Sequence, residues 1–126
     1  MPKKNKEIWI FGNPDLKNDS LPFKILPSLK KEFPQTDFVI KDPNEEWSLP
    51  QKLTIIDTIL GLEDITIFTS LDQFKDVPRL SLHDFDLLTN LRWLNKINKL
   101  PPFAIIGLPP NTPTKKAAQE TIKLIY

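Results

Sequence analysis

The sequence has 126 residues, 40% of them hydrophobic and 26% charged, with 17 basic against 16 acidic side chains and no cysteine. That length fits one domain with its own core, the charge balance excludes a nucleic-acid binder that relies on overall positive charge, and the absence of cysteine removes disulfides, thiolate metal sites and cysteine nucleophiles. No apolar run approaches the roughly 20 residues of a spanning helix, and too few apolar residues follow the basic start for a signal peptide, so a cytoplasmic chain that engages neither membrane nor nucleic acid is expected, monomeric when free.

Short apolar runs alternate with amphipathic stretches along the chain, without internal repeats. Glu7 to Phe11 (EIWIF) reads as a first buried strand, ended by Gly12-Asn13-Pro14. Leu21 to Phe33 reads as a helix with Ile25, Leu26, Leu29 and Phe33 on one face. Asp19 or Ser20 can accept the free N–H groups at its start, Pro22 suits its first turn, and Pro34 stops it. Asp37 to Lys41 is a second strand, and Asp42 to Gln51 a polar loop.

Leu53 to Ile56 (LTII) is a third strand with Asp57 at its carboxyl end, and Ile65 to Thr69 a fourth. Ser81-x-x-Asp84 has the spacing of a capping box, with Asp in place of the usual Glu or Gln. It opens a helix to about Asn98 whose apolar positions are Phe85, Leu87, Leu88, Leu91, Trp93, Leu94 and Ile97. Phe103 to Ile106 is a fifth strand, and Thr112-Pro113 starts a last helix to Tyr126. Thirteen prolines punctuate the element ends, and three glycines leave little room for a glycine-rich phosphate cradle.

Strands alternating with helices imply an α/β sandwich with a mostly parallel sheet. In such folds ligands sit outside the carboxyl ends of the strands, which directs attention to the loops Gly12–Ser20, Asp42–Trp47, Asp57–Glu63, Ser70–His83 and Gly107–Asn111. In the first loop, Asn13, Asp15, Asn18 and Asp19 suit a turn and helix cap. Asp57 follows an apolar run, where a carboxylate needs a partner or a metal; it equally suits a hydrogen-bond anchor for Thr58 to Leu60. His83, the one histidine, suits either a surface position or a ligand. Together Asp19, Asp57 and His83 lie in or beside loops that the topology can bring to one sheet edge. Two carboxylates and an imidazole suit a divalent metal of the nickel, zinc or cobalt kind, are too few acids for a calcium cage, and leave a coordination position open.

These residues carry a resemblance. IFGNPDLKNDSLPFKILPSLKKEF, LTIIDTILG, LSLHDFDLLTNLRWL and IIGLPPN resemble, in order, the segments of the nickel–iron hydrogenase maturation endopeptidases. That family has a strand followed by a Gly-Asn pair (here Gly12-Asn13) and an acid ahead of the first helix (Asp19), an apolar strand ending in Asp (Asp57), a Ser-x-His segment opening a long helix (His83), and a late strand with Gly-x-x-Pro-like residues. The resemblance spans nearly the whole chain and implies a single domain over residues 1–126. Its fold would be a three-layer sandwich with a twisted five-stranded, mostly parallel sheet between helices.

It implies an endopeptidase that removes the C-terminal extension of a hydrogenase large-subunit precursor once nickel is in place. Asp19, Asp57 and His83 would be both the metal-contacting and the catalytic set. Nickel would arrive with the substrate, zinc or cadmium could substitute for it, and Asn13, Asp42 and Asn44 would form the substrate loop. The sequence departs from the family where Asp42 is followed by Pro43-Asn44-Glu45 rather than glycines, and where Asn18-Asp19 replaces two acids. Pro22 also stands where a glycine is common.

Other classes share parts of this pattern. A phospho-receiver domain has acids after the first strand, an Asp at the end of the third and a hydroxyl at Ser70, but needs a Lys where Gly107-Leu108-Pro109 stands. A non-catalytic binding module on the same fold could use Trp47 and Trp93 as exposed interface residues. No G-x-S-x-G or G-x-G-x-x-G is present, which disfavours a nucleophilic hydrolase and a dinucleotide fold.

Overall fold

A computed structural model describes residues 6–42, 47–77 and 79–125, with the side chains of residues 82 and 83 outside the description. Its elements are β1 (Glu7–Ile10), α1 (Leu21–Glu32), β2 (Asp37–Ile40), β3 (Leu53–Thr58), β4 (Thr66–Phe68), α2 (Leu82–Lys96), β5 (Phe103–Leu108) and α3 (Thr114–Ile125), with 3₁₀ turns at Lys17–Asp19 and Leu71–Asp76. The strands form one five-stranded sheet in the order β2-β1-β3-β5-β4. β4 runs antiparallel to β5 and every other pairing is parallel. The expected α/β sheet is therefore present, with an antiparallel edge.

Strand alternation divides the core in two. Ile8, Ile10, Ile56, Ile106 and Leu108 pack with Ile25, Leu26 and Leu29 of α1 and Ala117, Ala118 and Ile125 of α3. Trp9, Phe11, Leu53, Ile55 and Ile105 pack on the other face with Leu87, Leu88 and Leu91 of α2. Helices on both faces explain why all six residues of β3 are buried.

Several expectations are corrected in detail. Ser20 stands at the N-cap of α1 without a side-chain cap; its hydroxyl instead donates to the Lys17 carbonyl (3.3 Å), which the preceding 3₁₀ turn brings within reach. Within α2, Leu87, Leu88 and Leu91 are buried, but Phe85 is 53% exposed, because one helical face meets the sheet and it lies off that face; Trp93, 59% exposed, has the exposure the binding-module reading expects. Trp47 is half-buried rather than an exposed interface residue. Its ring stands edge-on to Trp9 (5.3 Å) and Phe11 (5.9 Å), and its indole N–H donates to the Asp42 carbonyl (3.1 Å).

The phospho-receiver reading fails on topology, since that doubly wound fold orders its strands 2-1-3-4-5, whereas β5 here lies between β3 and an antiparallel β4. Ser70 has another use. Its hydroxyl accepts from the Asp72 N–H (3.2 Å) while Gln73 Oε1 accepts from the Ser70 N–H (2.9 Å), a capping box on the Leu71–Asp76 turn. Among the described residues no helix is long and apolar enough to cross a membrane.

Candidate functional site

The strand order reverses between β1 and β3: the chain leaves β1 for β2 on one side and returns to β3 on the other. The crevice beyond the carboxyl ends of two such strands is where open α/β sheets hold ligands.

After β1 the backbone turns at Gly12, whose φ of +141° is a conformation that side-chain-bearing residues rarely adopt. Short polar residues then fold the loop back. The Asn13 N–H donates to the Asp19 carbonyl (2.9 Å), the Asp15 N–H to Asn13 Oδ1 (2.9 Å), and the Asp19 N–H to the Leu16 carbonyl (3.0 Å). This brings Asp19 against the end of β1, where a Cβ on Gly12 would stand 2.6 Å from the Asp19 carbonyl oxygen and 3.5 Å from Asp19 Oδ1. Gly12→Ala is expected to lose about 1–3 kcal/mol from backbone strain and collision, seen as a lower melting temperature; an unchanged melting curve would mean that the turn relaxes freely. Gly12, Asn13, Pro14, Leu16, Asp19 and Asp42 line a cleft of about 370 Å³, so three of the sequence-predicted site residues share one concavity. Asn44 lies outside the described residues.

Asp57 lies within β3, in register with Gly107 of β5, rather than just past the strand's end. Alternation places it with Leu53 and Ile55 on the face that α2 covers. It is 1% exposed, and its Oδ1 has no hydrogen-bond partner among the described residues. Burial pushes its carboxyl well above the usual carboxylate range; the adjoining Asp84 carboxyl and the charge of Asp19 push the same way, against a hydrogen bond from the Thr58 backbone. The charge of Asp19 is thus close enough to add to the rise at Asp57.

Asp84 belongs to this site and was read from the sequence only as a capping residue. Its N–H does donate to Ser81 Oγ (3.1 Å). Its carboxyl is turned inward, 4% exposed and within hydrogen-bonding reach of Asp57, with Oδ2 lacking a partner among the described residues. The signal was its spacing: Asp84, Leu87, Leu88 and Leu91 recur at i, i+3, i+4 and i+7, and the three leucines are the buried stripe of α2. His83 lies in the first turn of α2, next to Asp84, and its side chain is outside the description. Among the described residues no group of three His, Cys, Asp or Glu side chains is placed to hold a metal ion.

The chain is similar in structure to the hydrogenase maturating endopeptidase HybD from E. coli, with a TM-score of 0.70 over 95% of this chain and 89% of that one, at 16% sequence identity. The two share a fold. The expectation of a sheet of the hydrogenase-maturation-protease kind, drawn from the order of short motifs, therefore holds across nearly the whole chain. No protein-family model and no curated protein sequence matches it.

Proposed function

We propose that this chain is an endopeptidase that removes the C-terminal extension of a nickel-loaded hydrogenase large-subunit precursor. The reading is supported by the fold shared with HybD and rests chiefly on one observation. At the sheet's switch point Asp57 carries a buried carboxyl oxygen with no hydrogen-bond partner among the described residues, and the charge of Asp19 adds to the rise in its carboxyl pKa. A buried carboxyl oxygen left unmet needs a proton or a cation, and oxygen donors of this kind suit a first-row divalent metal.

In this reading nickel belongs to the substrate. Asp19, Asp57 and His83 recognise it, and zinc or cadmium can stand in for it. A divalent metal held against a peptide polarises its carbonyl or lowers the pKa of a bound water. The protein's own contribution is positional. Gly12 and the Asn13-centred turn fix Asp19, β3 fixes Asp57, and the cleft with Asn13 and Asp42 receives the extended tail. Trp47, held on Trp9 and Phe11, anchors the far end of that loop. Hydrolysis adds water across the scissile C–N bond, leaving a new carboxylate and an amine.

The test mixes the protein with nickel-loaded and nickel-free precursor and follows the shortened product by mass spectrometry. Cleavage of the nickel-loaded form alone is expected. Equal rates on both forms would overturn metal recognition, and cleavage of neither would leave a binding module on a peptidase fold.

A further inference from the structure

We propose that the free edge of β2 is a docking strand for an extended peptide, the part of the precursor tail that runs out of the Asp42 cleft, and that this peptide pairs with Phe38 and Ile40 as a sixth strand of the sheet. The proposal rests on the reading above for the identity of the peptide, and adds a binding surface which that reading does not contain.

Three observations carry it. The first is where the main-chain groups of β2 point. The Asp37 N–H donates to the Lys6 carbonyl (2.8 Å) and the Lys41 N–H to the Ile10 carbonyl (3.0 Å), so Asp37, Val39 and Lys41 turn towards β1. Phe38 and Ile40 therefore turn their N–H and C=O groups the other way, onto an edge along which no strand lies among the described residues. The opposite edge is treated differently, since the Gln73 side chain donates to the Ile67 carbonyl of β4 (3.4 Å). Sheet edges are commonly blunted by Lys, Pro or a bulge. β2 reads Asp-Phe-Val-Ile, pairs with β1 without a bulge, and leaves Ile40 58% exposed.

The second observation is a groove beside that edge. Lys30, Phe33 and Pro34 at the end of α1 line it with Asp37, Phe38 and Val39 of β2, and its volume is about 430 Å³. Phe33 and Phe38 rest on the core that α1 covers, so the groove lies on that face of the sheet. An added strand would turn every second side chain to the same face, which selects a peptide with apolar residues at alternate positions. The third observation is continuity. Ile40 stands two residues before Asp42, a wall of the cleft that also holds Asn13 and Asp19. A chain leaving that cleft meets the open edge at once. Outward N–H and C=O groups recognise backbone, which is what an unfolded tail presents.

The experiment uses the whole isotope-labelled chain in chelator, where no cleavage is expected, and a synthetic peptide spanning the precursor's cleavage site and extension. Amide exchange followed by NMR is expected to slow at least about tenfold at Phe38 and Ile40 when peptide is added, and to change least at Val39, which faces β1. Two further peptides carry N-methyl groups on alternate residues, in opposite phases. Only alternate N–H groups of an added strand face β2, so one phase is expected to bind at least about tenfold more weakly than the parent and the other about as well. Equal binding by the two phases would overturn the proposal, as would unchanged exchange at Phe38 and Ile40. Protection of those amides that grows with protein concentration in the absence of peptide would also overturn it, because a second copy would then hold the edge. The cleavage assay separates this from the peptidase reading. Peptide-dependent protection without cleavage of any precursor leaves the docking strand and removes the peptidase. Nickel-dependent cleavage without protection at Phe38 and Ile40 does the reverse.

Discussion

Asp57→Asn is expected to melt at a higher temperature than wild type at pH 7–8 in chelator, and to lose at least about 100-fold in cleavage of nickel-loaded precursor. The pH dependence follows from the direction of its shift. Burial and the neighbouring Asp84 raise the Asp57 carboxyl above its unfolded value. Folding then favours the protonated form, so stability is fully present below about pH 4, the unfolded range, and is lost as pH rises through the folded value. Asn has nearly the same volume, carries no charge, and can donate to Asp84, so the variant escapes that loss. A gain of order 1–3 kcal/mol at pH 8 is the scale for a buried group relieved of an unmet partner, roughly 3–6 °C per kcal/mol for a chain this long. Melting curves from pH 4 to pH 8 should therefore diverge with rising pH and converge towards pH 4. A variant that melts lower than wild type yet still cleaves would make Asp57 an anchor for Thr58 to Leu60 and nothing more.

Trp9→Ala should produce the largest loss of stability. Trp9 is wholly buried, meets Phe11 (6.4 Å) and Trp47 (5.3 Å) ring to ring, and has the Lys41 ammonium 5.1 Å from its centroid. Removing a buried indole costs about 3–5 kcal/mol out of the roughly 5–15 kcal/mol typical of a domain. Urea denaturation should show a large fall in midpoint at nearly constant slope. Trp47→Ala removes a half-buried ring, so its midpoint should fall less. A midpoint for Trp9→Ala within experimental error of wild type would mean that the aromatic cluster adds no stability.

The local pattern revealed most of the elements, because they follow from periodicity and breakers. EIWI, LTII and FAII all lie in strands, and Pro34 falls just after α1. The same pattern singles out Asp19 before α1 and Asp57 near the carboxyl end of β3 as polar residues. What stayed hidden depends on partners distant in sequence. The reversal of β4 follows from its pairing with β5, which no local window reports. Asp57 falls inside β3 because Gly107 and Leu108 extend β5 alongside it. The half-burial of Trp47 depends on Trp9 and Phe11 meeting it across the fold. Asp84 was hidden differently. A serine three residues earlier offered a sufficient local explanation, and the helical spacing that aligns it with Leu88 and Leu91 pointed inward at the same time.

The sheet order also governs when the molecule can assemble. β3 pairs with β1, made long before it, and with β5, made long after, while β4 hydrogen-bonds only to β5. No adjacent pair of strands in the sequence forms a hairpin, so early folding has little local pairing to build on, and a topology so dominated by distant contacts folds slowly. On the ribosome, β1, β2 and β3 can join as soon as they emerge, but one edge of β3 stays bare and β4 has no neighbour until β5 has been made. That bare edge, carrying Leu53, Ile55 and Ile56, is the nascent chain's point of greatest exposure to wrong partners.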